Sequence, residues 1–234
     1  MKSEKYLVLS LLILLCWVSP SSSLAADNGD TVTLELRWFF EGQPPVDVKD
    51  WFAELPGNSI KQEERTDLYL VVSGREDLGL KLREGRLELK TRRSTALFLM
   101  GSVRGNQEIW HGDKWDFSER NGAVVVTAFT AGDLKGPRHT VDKTRKQRKY
   151  DASDSGSFTP VDSKKWLDSG CVIEFTQIEI DGETGWTLGF DAIGAEEDVS
   201  EILAGCTAQL LAGYPGPFLT EKESFGYPKR VMLK

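Results

Sequence analysis

Residues 65–93 read RTDLYLVVSGREDLGLKLREGRLELKTRR, and the fold turns on how this stretch is oriented. Leu80, Leu82, Leu87 and Leu89 alternate with Lys81, Arg83, Arg86, Glu88, Lys90 and Arg92. A period of two puts the leucines on one face of a strand and the charges on the other. Glu84-Gly85-Arg86 is a short polar break, so Gly79–Arg83 and Leu87–Arg92 form a hairpin. The charged face has two readings. On an open sheet it is a solvated exterior. Closed into a barrel with the leucines outward under helices, it lines a tunnel with cations.

The chain opens with Lys2 and Lys5, the nearly unbroken apolar run Tyr6–Val18, and then Ser23-Leu24-Ala25. That is the pattern of a secretory signal, residues 1–25, cleaved after Ala25. The apolar run falls well short of the ~20 residues that span a bilayer. Cys16 does not make a lipoprotein signal, because a leucine stands where a small residue is expected. The sequence therefore predicts an exported protein with no membrane span after cleavage and one domain over 26–234. Losing Lys2, Glu4 and Lys5 leaves the mature chain one unit more acidic than the −7 of the whole. An acidic total argues against broad nucleic-acid binding. The basic residues are local, in Arg83–Arg93 and Arg138–Lys149, against an acidic Glu196–Glu201. Cys171 and Cys206 survive cleavage, and both a disulfide and two buried thiols remain open.

Thr31–Phe40 alternates as a first strand, and Asp47–Leu55 carries Val48, Trp51, Phe52 and Leu55 at helical spacing. Arg65–Val72 is a second strand. Ala96–Val103 and Gln107–Trp115 are apolar and aromatic without a clear period. Ala123–Phe129 is a strand from its β-branched content. His139–Tyr150 is a cationic strand or ribbon, and Asp151–Ser163 an exposed loop. Cys171–Asp181 and Gly185–Ile193 form a last hairpin around Asp181-Gly182-Glu183. Ala195–Ala212 is a helix with Val199, Ile202, Leu203, Cys206 and Leu210 on one stripe. The tail, with Pro215, Pro217 and Pro228, is expected to be extended. Most of the tryptophans belong to packing.

No phosphate-binding glycine loop, HExxH or G-x-S-x-G occurs, and the two histidines are far apart in the chain. What remains is the order of the pieces Arg65-Thr-Asp-Leu-Tyr-Leu70, Leu80-Lys-Leu-Arg83 and Leu87-Glu-Leu-Lys90, with Tyr227-Pro-Lys229 near the end. In this order the chain resembles the CYTH, or triphosphate tunnel metalloenzyme, superfamily from about Thr31 to the C-terminus. The resemblance implies a mainly β (α+β) chain: a single eight-stranded antiparallel β-barrel, or tunnel, with flanking helices. It implies a small polyanion, a triphosphate or polyphosphate, held by Arg37, Lys81, Arg83, Lys90, Arg92, Lys143 and Arg145. It also implies Mg2+ or Mn2+ held by Glu35, Glu88, Glu174 and Asp191 and used in triphosphate hydrolysis.

The family's first strand reads E-x-E-x-K, whereas this chain has Thr33, Glu35 and Arg37. Glu174-Phe-Thr176 and Gly189-Phe-Asp191 keep one acid each where pairs are expected. The thinned acids point toward binding or weakened hydrolysis, with no residue assigned as catalytic. The alternative is a structural or interaction module with a vestigial tunnel.

Overall fold

The alternation of Thr31–Glu41 becomes β1, whose even-numbered Leu34, Leu36 and Trp38 are buried on one side while Glu35, Arg37 and Phe39 take the other. The structure is a computed structural model that describes residues 31–57, 59–116, 136–153 and 156–234. The signal segment 1–25 and the strand expected at Ala123–Phe129 lie outside the described residues.

After β1 come α1 (Val46–Glu54), β2 (Lys61–Leu70), β3 (Leu78–Arg83), β4 (Arg86–Met100) and β5 (Val103–Asp116). Then follow β6 (Arg138–Ala152), β7 (Phe158–Val161), β8 (Gly170–Ile180), β9 (Glu183–Ala195), α2 (Val199–Leu210) and α3 (Tyr227–Met232). The strands hydrogen-bond in the order β2-β3-β4-β5-β1-β9-β8-β6, and β2 pairs with β6 to close the ring. Every pairing is antiparallel, which gives a closed eight-stranded barrel with β7 as an extra edge on β6. Closure removes the open strand edges that would otherwise be left unpaired.

Both tight hairpins turn on two residues. Glu84 and Gly85 have φ of 48° and 76°, and Asp181 and Gly182 have 51° and 87°. Two consecutive positive φ values match the right-handed twist of the flanking strands. The segments 96–103 and 107–115, which have no clear period, form one long hairpin from β4 into β5.

The main core lies outside the barrel wall. Leu34, Leu36 and Trp38 of β1 meet Ile173 and Phe175 of β8, Trp186, Leu188 and Phe190 of β9, and the inner faces of α1 and α2. All five stripe residues of α2 are buried, including Cys206. Cys171 and Cys206 are buried free thiols. Arg148, from the basic stretch of β6, also points outward. Its guanidinium donates to the carbonyls of Phe52, Ala53 and Gly57, which ends α1 with its last carbonyls satisfied.

Two expectations are corrected. Asp151–Ser163 contains β7, held because Phe158 is buried and its backbone exchanges hydrogen bonds with Gln209 of α2. The hairpin leucines face outward as expected, and among the described residues Leu80, Leu82 and Leu87 cluster with Leu68 and Leu70. The tail is not simply extended. Leu219 packs in the outer core, and Ser224 bridges to Trp38 where β1 and β5 diverge. Gly105 on β5 makes room for this crossing, since a Cβ there would sit 2.8 Å from the Ser224 hydroxyl and 2.7 Å from Leu36. Phe225 and α3 then lie inside, with Phe39, Tyr69, Val71, Val141, Ile178 and Ile180, and fill one end of the barrel with apolar side chains.

Candidate functional site

Beside that apolar plug the barrel interior is charged, because Lys81, Arg83, Glu88 and Lys90 turn inward as their leucine neighbours turn out. A cavity of about 200 Å³ is lined by seven basic and four acidic side chains, with Tyr69, Trp110 and Tyr227 among them. Six of the seven expected anion ligands line it: Arg37, Lys81, Arg83, Lys90, Lys143 and Arg145. Arg92 does not. It pairs with Glu108 at 2.6 Å and Glu76 at 3.2 Å, its guanidinium 5.8 Å from the centre of the Trp110 ring.

Two carboxylates organise the cations. Asp67 on β2 is fully buried opposite Arg83 of β3. Arg83 grips it with two bonds, of 2.6 and 3.1 Å, and Lys143 Nζ approaches at 2.8 Å, with Lys81 at 3.7 Å. Glu88, opposite Lys81 on β4, takes Lys81 at 3.0 Å and Arg83 at 3.3 Å. Burial opposes ionisation of Asp67, but Lys143 and Arg83 outweigh it and hold the carboxyl well below the usual range. Burial pushes Lys143 well down, and brings Lys81 down to about 8 despite Asp67.

The second node is Glu174. Arg37 of β1, Gly189 of β9 and Glu174 of β8 stand on one rung of the wall, with Gln147 of β6 next along. The arginine reaches over the bare glycine to donate Nη1 to Glu174 Oε1 at 2.7 Å and to Thr187 Oγ1 at 3.1 Å. Thr176 donates to the same oxygen at 3.0 Å, while Arg145 and Gln147 donate to Oε2, each at 3.1 Å. Against the cost of burial, Arg37 and Arg145 bring Glu174 down to about 2.

Glu35 and Asp191 face each other across β1 and β9. Lys90 reaches Glu35 at 2.9 Å. Among the described residues Asp191 has Arg37 Nη2 as its ion-pair partner, at 4.0 Å, and its Oδ1 is buried without a hydrogen bond. Burial, then the charge of Glu35, pushes Asp191 up to about 7.

A Mg2+ or Mn2+ ion, which the family resemblance implies, needs several free oxygen ligands. Among the described residues no group of three or more His, Cys, Asp or Glu is placed to hold one. Glu174 already accepts four bonds, and Glu88 is held by Lys81 and Arg83 on β3. Of the four acids assigned to metal, Glu35 and Asp191 stand adjacent with an oxygen to spare, and one or two carboxylates hold such an ion when a ligand's phosphate oxygens and water complete its shell. The described residues would hold the ion through this pair only together with a bound polyanion.

Sequence reasoning left out Arg65, Asp67, Tyr69 and Tyr227 as site residues, although the first three lie within the quoted stretch. The signal for Asp67 was present as a lone acid on the face that carries Arg65 and Tyr69.

No protein-family model matches the chain, and no curated protein matches its sequence. Solved structures similar to it include a conserved hypothetical protein from Pyrococcus furiosus, 14% identical, with 86% of this chain and 99% of that one covered and a TM-score of 0.43. The Mimivirus capping-enzyme triphosphatase is 10% identical over 91% of this chain and 96% of that one, with a TM-score of 0.46. An RNA triphosphatase from Schizosaccharomyces pombe is 9% identical over 100% of this chain and 90% of that one, at a TM-score of 0.34. The fold rests on the strand order and its closure: this chain is a closed tunnel barrel of the CYTH-like form that its sequence resembles.

Proposed function

We propose that this is an exported tunnel protein whose basic chamber binds a small polyanion of the triphosphate or polyphosphate class. The observation that carries the reading is the excess of cations, seven basic against four acidic side chains around one cavity. Guanidinium and ammonium groups bind phosphate oxygens through charge-assisted hydrogen bonds, strengthened where water is excluded. At about 200 Å³ the cavity is smaller than the ~300–1,000 Å³ of pockets that bury drug-sized ligands, so its occupant is compact. Lys90 is the cation most open to solvent, with 42% of its side chain exposed, and its pair with Glu35 is the one a ligand displaces most cheaply. Metal-dependent triphosphate hydrolysis is the finer reading implied by the resemblance, and the adjacent Glu35 and Asp191 are the carboxylates that would hold its ion beside a bound phosphate chain.

Calorimetric titration of the mature protein with tripolyphosphate tests the reading. Binding is expected, with Lys90→Ala weakening it by roughly tenfold, the worth of one charge-assisted contact. No heat and no competition by pyrophosphate would leave the chamber as a structural feature of an interaction module. Phosphate release that depends on added magnesium would instead favour hydrolysis. Export is checked separately: protein recovered outside the cytoplasm should begin at Ala26 or Asp27.

A further inference from the structure

Two tyrosines stand over the ammonium group of Lys143, and they differ in one respect. Lys143 Nζ lies 5.2 Å from the centre of the Tyr69 ring and 3.5 Å from that of Tyr227, and the two rings stack on each other at 6.1 Å. Tyr69, on β2, spends its hydroxyl on Lys143, which donates to it at 3.3 Å. Tyr227 comes from the tail, and its hydroxyl is buried without a hydrogen bond to any of the described residues. Its neighbour Thr187 on β9 accepts Arg37 Nη1 instead. A buried donor without a partner is costly, and folded proteins hold few of them. Two more line the same cavity. Arg65 and Arg145 are both tied to Glu63 through terminal nitrogens, at 2.9 and 2.6 Å. The Nε–H group of each is buried without a hydrogen bond among the described residues. Arg65 Nε comes no nearer than 3.8 Å to Asp67 Oδ2, beyond hydrogen-bond distance.

Three uncommitted donors, from β2, β6 and the tail, thus belong to residues lining one basic chamber. Arg83, Lys81 and Lys143 are differently placed, since Asp67 and Glu88 already take their protons. The groups with bonds left to give are those that select a ligand, and unprotonated phosphate oxygens accept from phenol and guanidinium alike. We infer that the Tyr227 hydroxyl and the Arg65 Nε–H are ligand donors, which together with Arg145 form a phosphate-binding edge that the tail completes. Arg145 is among the anion ligands that the family resemblance implies; Arg65 and Tyr227 are additions to it. The inference rests on the polyanion reading above and deepens it by naming the donors that meet the phosphate oxygens. It holds with or without an accompanying metal ion, because none of the three groups is a carboxylate that would bind one.

The test uses the full mature chain and inorganic tripolyphosphate as the probe, with calorimetric titration and thermal melting as the two readouts. Tyr227→Phe removes one oxygen and leaves the ring over Lys143. It should melt no lower than the parent, because the fold loses no hydrogen bond, yet bind roughly tenfold more weakly, the worth of one bond to a charged group. Tyr69→Phe supplies the contrast. It takes an acceptor from the buried Lys143 and should melt below the parent. Arg65→Lys keeps the charge beside Glu63 but has no Nε edge, and should also lose roughly tenfold in affinity. Tyr227→Phe that binds within about twofold of the parent would overturn the inference while leaving the polyanion reading intact. So would a Tyr227→Phe that melts as low as Tyr69→Phe, since its hydroxyl would then be spent inside the fold. Arg65→Lys with the parent's affinity would overturn the part given to Arg65, and if that variant does not fold, Tyr227→Phe decides alone. No binding by the parent protein defeats the polyanion reading itself.

Discussion

Arg37 and Gly189 face each other across β1 and β9, and the guanidinium of the first fills the space where the second has no side chain. That relationship couples the wall of the barrel to the charge in its interior. It also makes a glycine in the middle of a strand, ordinarily a weak point, a requirement of the site.

Gly189→Ala should therefore cost more than a surface methyl. The added carbon pushes the arginine off its rung and separates it from Glu174, an ion pair with little solvent to compensate. A loss of about 1–3 kcal/mol in urea unfolding is expected, as for overpacking in a filled core, together with weaker tripolyphosphate binding. Unchanged stability and unchanged affinity would mean that the arginine simply swings aside.

Asp67 and Lys90 set the two ends of the scale for charge deletions. Asp67 is fully buried among Arg83, Lys143 and Lys81, so Asp67→Asn takes the paired carboxylate from the buried Lys143 and leaves Arg83 and Lys81 to Glu88, and should cost about 3–5 kcal/mol. Lys90 is 42% exposed, and Lys90→Ala should cost under ~1 kcal/mol of stability while lowering affinity. Denaturant titration of the two variants side by side checks the ranking, and a Lys90 variant that proves the less stable would reverse it.

Asp191 gives the pH dependence a sign. Its carboxyl rises to about 7 from an ordinary 3.8, so between those values the folded protein keeps a proton that the unfolded chain has released. Stability from this group is full below about pH 4 and is lost as pH rises through 7. Asp191→Asn cannot titrate, so its stability relative to the parent should climb between pH 5 and pH 8, by on the order of 2 kcal/mol at ~1.4 kcal/mol per pKa unit. Glu174 runs the other way. Lowered to about 2 from 4.5, it contributes stability that is lost as pH falls from about 4.5 to 2. A flat difference for Asp191→Asn would show that the carboxyl is ionised throughout.

Cation and acid variants separate binding from hydrolysis. Arg83→Ala should lower tripolyphosphate affinity more than Glu35→Ala, by roughly ten- to a hundredfold, because the first removes a donor and the second removes a like charge. If Glu35→Ala instead leaves affinity intact and abolishes a magnesium-dependent release of phosphate, the protein is a hydrolase and the ranking is beside the point.

The elements were legible in the sequence because their signals are local. The period-two runs in Thr31–Phe40 and Gly79–Arg92, the stripe of α2 and the Asp181-Gly182 turn each depend on residues a few positions apart, and each is found close to where it was expected. The order of the basic strands carried the resemblance to a tunnel barrel, and the antiparallel ring with β2 closed on β6 has that form. Alternation also names which residues share a face. It cannot say whether that face points inward, because a solvated sheet and a closed barrel have the same period.

Closure decided that, and closure is a pairing between β2 and β6, which stand far apart in the chain. The same distance hid the partners. Asp67 collects Arg83 and Lys143 from two different strands, and Arg37 finds Glu174 only because a glycine of a third strand lies between them. The plug was hidden for a related reason. The tail crosses the wall only where β1 and β5 splay, which lets Phe225 and Tyr227 turn inward. The sequence by itself determined the strands, their two faces and the stock of charges on them. The tertiary structure decided which charge neutralises which, since an ion pair depends on distance in space and the period of a strand carries no record of it.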